Sequence, residues 1–72
     1  MYLYLKNNKM NKNIIGTKIR EARQSAGLTQ KDLARKAKTS FETINRIENG
    51  KANTTVEMLL KLEDLLRIDI FK

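Results

Sequence analysis

Apolar residues recur three and four positions apart through most of this chain, and the recurrence is interrupted by turn-forming or capping residues. Ile15, Ile19, Ala22 and Ala26 make one stripe, which predicts a first helix from about Ile14 to Ala26. Lys18, Arg20, Glu21 and Gln24 fall outside that stripe. Gly27 is a natural left-handed stop, and Leu28 beyond it can pack back on the helix. Thr29-Gln30-Lys31-Asp32 has the form of a capping box, with Asp in place of the longer Glu, and opens a second helix. Leu33, Ala34 and Ala37 point inward there, and the small alanines let another helix cross closely. Lys38 and Thr39 form the turn that follows.

Ser40 caps a third helix, from about Phe41 to Asn49, that Gly50 ends. Ile44 and Ile47 mark its buried side. At ~100° per residue, Glu42, Asn45, Arg46 and Asn49 point the opposite way, with Phe41, Thr43 and Glu48 on the flanks. Glu, Asn, Arg and Asn together supply donors and acceptors suited to the edges of bases. After the loop Lys51-Ala52-Asn53-Thr54, Thr55 caps a fourth helix from about Val56 to Leu66, with Val56, Leu59, Leu60 and Leu66 inward. Met58, Leu62 and Leu65 widen the apolar arc beyond what one small core needs. That excess predicts a homodimer, in which Ile68 and Ile70 would also take part; the alternative is that the extra residues cover neighbouring loops.

The two ends read differently. Residues 1–13 are rich in Lys and Asn; Tyr2-Leu3-Tyr4-Leu5 has strand-like residue types, and KNNKMNKN reads as a flexible basic tail. A basic arm lying on phosphates is the functional alternative, and Met10 offers a second possible start. Residues 67–72, Arg-Ile-Asp-Ile-Phe-Lys, alternate with period two and read as a short strand, which would need a partner strand.

At 72 residues the chain is one small domain with little core to spare. It has no cysteine and no histidine, which excludes disulfides, thiolate metal sites and the usual general base. The carboxylates are scattered on helix surfaces and form no acid/base constellation, so an enzyme is not expected, nor is a cofactor or metal. The net charge is +7, and its distribution sharpens the picture: residues 1–55 carry +8 and residues 56–72 carry −1. A basic front suits a polyanion such as DNA. No apolar run is long enough to span a bilayer, and the start does not have the order of a signal peptide, so the expected setting is cytoplasmic.

From Ile15 to about Ile68 the chain resembles the Cro/cI-type (Xre-type) helix-turn-helix domain. The residues that carry the resemblance are KIREARQSAGLTQKDLARKA, then S-x-x-T-I-x-R-I-E-N-G-K, then E-x-L-L-K-L. The resemblance implies an all-α, four-helix, lambda-repressor-like domain over residues 14–66, with or without a short C-terminal strand. It implies that Gln30 contacts a phosphate, that Thr39, Ser40, Phe41, Glu42, Asn45 and Arg46 form the reading edge, and that Asn49 and Lys51 bind the backbone. It further implies a partly buried ion pair between Arg23 and Glu48. Three positions depart from the family pattern. Lys38 stands where Gly is usual in a left-handed turn. Phe41 replaces a polar first recognition residue, and either touches a thymine methyl or packs on the flank. Glu63 falls near the inner face of helix four and needs a basic neighbour or a wet edge.

The expected function is a dimeric, sequence-specific repressor on a palindromic operator, with Arg20, Lys31, Lys36, Lys38 and Lys51 neutralising phosphates. The strand-like tail and the Asn53-Thr54-Thr55 entry to helix four also resemble the short antitoxins that accompany HipA-type kinases. That second resemblance implies an alternative, in which the main task is to hold a toxin and the operon is autorepressed.

Overall fold

A computed structural model describes residues 12–51 and 54–70 of the chain. Four helices follow one another: α1 (Lys12–Ser25), α2 (Gln30–Lys36), α3 (Phe41–Glu48) and α4 (Val56–Leu66). The N-terminal strand-like stretch, Met10, Ala52, Asn53, Phe71 and Lys72 lie outside the described residues. Among the described residues, no helix is long and apolar enough to cross a membrane.

Local chemistry sets the starts. In α2 the Asp32 backbone N–H donates to the Thr29 hydroxyl at 2.9 Å, and Thr29 returns its own N–H to the Asp32 carboxylate at 2.9 Å. Two of the donors at the helix start are thereby satisfied reciprocally, even with the shorter acid. Hydrogen bonding from Thr29 holds the Asp32 carboxyl below its ordinary value, the Thr29 backbone N–H first and its hydroxyl next, helped by Arg35 and Lys36. Ser40 and Thr55 accept from the N–H groups of Thr43 and Met58, both at 3.1 Å.

The ends share one device. After α1, Leu28 N–H reaches the Arg23 carbonyl and Gly27 N–H reaches that of Gln24, both at 3.0 Å, with Gly27 at φ +73°. This is the Schellman closure, which needs one left-handed residue. The same closure ends α2 at Lys38 (φ +56°), through Thr39 N–H to Ala34 at 2.9 Å. The left-handed turn is therefore kept without glycine, at a conformational cost of ~1 kcal/mol. Arg67 (φ +58°) carries a second such cost at the end of α4.

The core is Ile15 and Ile19 of α1, Leu33, Ala34 and Ala37 around α2, Ile44 and Ile47 of α3, Leu59, Leu62 and Leu66 of α4, and Ile70. Several expectations change here. The first helix begins at Lys12, two residues early, and ends at Ser25, leaving Ala26 exposed in the turn. The core stripe of α4 is Leu59, Leu62 and Leu66; Leu60, turned about 100° from Leu59, is 50% exposed and not an inner residue. Leu62 and Ile70, expected on a dimer face, are wholly buried inside this chain. Met58, Leu65 and Ile68 are half-buried against the same core.

The expected strand is absent from residues 67–70. Arg67 reverses the chain, Ile68 N–H donates to the Glu63 carbonyl at 3.1 Å, and Ile70 N–H donates to the Glu63 carboxylate at 2.6 Å. Lys18 Nζ holds the Ile70 carbonyl at 3.3 Å. A strand needs a ladder partner, whereas here the backbone groups of Ile70 are taken by side chains and its own side chain fills the core. Glu63 thus finds its partner in a main-chain N–H and needs no basic neighbour.

Candidate nucleic-acid interface

The outward surface of α3 is built by what α3 buries. Ile44 is wholly buried and Ile47 nearly so, which turns Glu42, Arg46 and Asn49 to solvent, with Ser40 and Phe41 exposed at the leading end. Thr39 is half-buried in the preceding turn, and Lys51 is exposed just past the trailing end. Phe41 keeps 40% of its surface exposed and is not part of the core. Lys31, Lys36 and Lys38 are exposed on and beside α2.

Beneath this surface sits a buried carboxylate. Glu48 is 2% exposed, deeper than a flank position. Arg23 meets it with two bonds, Nε to Oε2 at 2.6 Å and Nη2 to Oε1 at 3.0 Å, and spends Nη1 on the Leu28 carbonyl at 2.8 Å. Gln30 Nε2 donates to Oε1 at 3.0 Å. The Arg23–Glu48 pair, joined by Gln30, thereby ties α1, the turn after it, the start of α2 and the end of α3 together. A buried pair of this kind fixes geometry more than it adds net stability, because desolvation offsets the attraction.

Arg20, expected outside and free for phosphate, reaches across to the end of α3. Its Nη2 donates to the Glu48 carbonyl at 3.0 Å and to Asn49 Oδ1 at 2.9 Å, and its Nε lies 3.6 Å from the Glu48 carboxylate. Asn49 Nδ2 donates to Asn45 Oδ1 at 3.2 Å, and Asn45 Nδ2 donates to Gln30 Oε1 at 3.2 Å. Asn45 is accordingly half-buried between α2 and α3 and does not project freely.

The close approach that permits these bonds depends on Gly16, which the apolar pattern passed over. A Cβ there would lie 2.5 Å from the Ile47 carbonyl oxygen and 2.6 Å from that of Glu48. Backbone would meet side chain with nothing flexible to yield, so α1 can cross α3 at this depth only through glycine. The signal available in the sequence was a glycine inside an otherwise helical run, between Ile15 and Ile19. Lys61 also went unassigned; its Nζ donates to the Ala37 carbonyl at 3.2 Å and fastens α4 to the end of α2.

Comparison with known proteins agrees with this geometry. The helix-turn-helix family profile matches residues 19–72. A putative HTH-type transcriptional regulatory protein from Methanothermobacter thermautotrophicus is 42% identical over 57 residues, which is 79% of this chain and 18% of that protein. The chain therefore spans under a fifth of the length of that relative. Among solved structures, the restriction-modification controller protein C.AhdI from Aeromonas hydrophila matches with a TM-score of 0.75 at 29% identity, over 81% of this chain and 88% of that one. The controller protein C.Esp1396I, solved as a tetramer in complex with its natural 35 base-pair operator, matches with a TM-score of 0.72 at 28% identity, over 81% and 76%. The capped α2 and α3, the turn between them and the outward polar face of α3 are the parts of one all-α, lambda-repressor-like fold, and the chain belongs to the helix-turn-helix family in its Cro/cI (Xre) type, the DNA-binding domain of transcription regulators.

Proposed function

We propose that this protein represses transcription as a dimer bound to a palindromic operator. The observation that carries the reading is the polarity of α3: one edge is sealed in the core, and the other presents Glu42, Arg46 and Asn49 behind an exposed Ser40-Phe41 start. A helix so divided suits the major groove, whose base edges its side chains can reach. Arg46 is the guanine reader by its two-pronged donor geometry. Glu42 accepts from cytosine and repels wrong sites. Phe41 contacts a thymine methyl. Thr39 and Ser40 extend the reading edge, Gln30, Asn49 and Lys51 hold the backbone, and Lys31, Lys36 and Lys38 add the salt-dependent attraction of a basic surface.

A second copy would place its α3 one DNA turn away, roughly 34 Å. With Leu62 and Ile70 inside the core, α4 and the described part of the tail offer for that contact the partly exposed Met58, Leu65 and Ile68 on one flank and Leu60 on the other. The antitoxin reading keeps the Asn53-Thr54-Thr55 entry to helix four as its support, while residues 67–70 fold back against α4 and α1.

The test is selection of bound duplexes from a random library, followed by footprinting at the protein's own promoter. Arg46→Ala is expected to weaken the selected site and relax preference at one base position by ~1–3 kcal/mol. Equal loss on every sequence would make Arg46 a phosphate contact only, and the absence of any selected sequence would overturn the reading. Sedimentation equilibrium tests the dimer; a monomer on and off DNA would overturn that part.

A further inference from the structure

We propose that Asn45, although it belongs to the outward helix, is a positioning residue that acts on DNA through Gln30 and does not itself read a base. This rests on the DNA-binding reading above. The argument is the direction of a chain of hydrogen bonds. It begins at Arg20, whose guanidinium can only donate, and ends at the Glu48 carboxylate, which can only accept. Three amides lie between. Arg20 donates to Asn49 Oδ1, so Asn49 must turn its Nδ2 to Asn45 Oδ1. Asn45 must then turn Nδ2 to Gln30 Oε1, and Gln30 must turn Nε2 to Glu48 Oε1. The two charged ends thus fix the orientation of all three amides; flipping any one would oppose donor to donor on one side and acceptor to acceptor on the other.

Asn45 sits in the middle of this chain, half-buried, with its oxygen and its nitrogen both engaged across 4 and 15 residues of sequence. A bidentate grip on adenine would need both of those atoms turned to the base. Freeing them would break two bonds and leave Gln30 held on one side only. Glu42 and Arg46, one turn of helix apart on the exposed face, have no such duty among the described bonds. The arrangement therefore divides labour within α3. Glu42 and Arg46, with Phe41, meet bases, while Asn45 holds Gln30 at the angle from which the second Nε2 hydrogen meets a phosphate.

The experiment is a double-mutant cycle on the full chain, with Asn45→Ala, Gln30→Ala and the double variant. It is read by affinity for the selected duplex, by the base-preference profile from the random library, and by thermal unfolding. Alanine suits a helix interior, so Asn45→Ala is expected to fold. The expected result is a loss of about two- to tenfold, the range for one neutral hydrogen bond, equal on all sequences, with the preference profile unchanged. Asn45→Ala should cost nothing further once Gln30 is alanine. A changed preference at one base pair, no loss of affinity, or additive losses in the double variant would each overturn the proposal. If Asn45→Ala melts early, Asn45→Ser, which shortens the side chain but stays polar, is put through the same cycle with the same outcomes. Wild-type protein that selects no sequence would overturn the DNA-binding reading, a failure distinct from a wild type that selects a sequence and an Asn45 variant that alters it.

Discussion

Glu48 and Ile70 are both buried, and each fastens distant stretches of chain, but by different means. Around Glu48 the bonds are directional: two from Arg23, one from Gln30, and a run of amides back to Arg20. Around Ile70 the hold is mostly apolar, a side chain in the core with Glu63 and Lys18 taking its backbone N–H and carbonyl. Directional bonds set angles, whereas apolar burial contributes free energy with little regard to angle. The first region lies under the outward face of α3 and the second at the far end of α4. Precision is thus concentrated where α3 must be aimed, and bulk cohesion where it need not be.

The sharpest way to break this contrast is Glu48→Ala. Removing the carboxylate leaves Arg23 nearly buried and unpaired, and a loss of ~3–5 kcal/mol is expected. A domain this small holds only roughly 5 kcal/mol in all, so urea titration should find the variant close to its unfolding midpoint. A loss below ~1 kcal/mol would mean that water reaches the site and that the pair behaves as a surface bridge. Ile70→Ala comes next, at ~2–4 kcal/mol from the deleted side chain and the cavity it leaves. Its purpose is the comparison: stability should fall while base preference stays as in the wild type. A shifted preference would show that the two regions are coupled.

Lys38→Gly should raise stability by ~1 kcal/mol, because the left-handed turn no longer carries a Cβ. Destabilisation would mean that the Lys38 side chain makes a contact worth more than the strain. The smallest effect concerns Asp32. Its folded value lies below the ordinary 3.8, so its contribution is fully present above that value and is lost as pH falls through the lowered one. The stability gap between wild type and Asp32→Ala should therefore narrow on acidification. A gap that widens in acid would contradict the capping box as its source.

What the sequence determined by itself was everything decided within a few residues. Thr29, Ser40 and Thr55 cap their helices because each lies three residues from the N–H it serves, and Gly27 ends α1 because only local backbone geometry is involved. The order of four helices and the divided face of α3 follow from the same short-range periodicity. Tertiary structure alone decided what depends on residues far apart in the chain. An α4 rich in leucine does not say which leucines face inward until α1 and the tail are packed on it; hence Leu60 is outside, and Leu62 and Ile70 are inside. Alternation in residues 67–70 describes a strand or a returning coil equally well until Glu63 and Lys18 take its backbone groups. Asn45 reads as a free polar residue until Gln30, 15 positions away, is brought against it. The need for Gly16 appears only when the carbonyls of Ile47 and Glu48 lie above it. The physical reason is common to all four: sequence pattern reports a residue's local setting, but which distant group meets it is a property of packing.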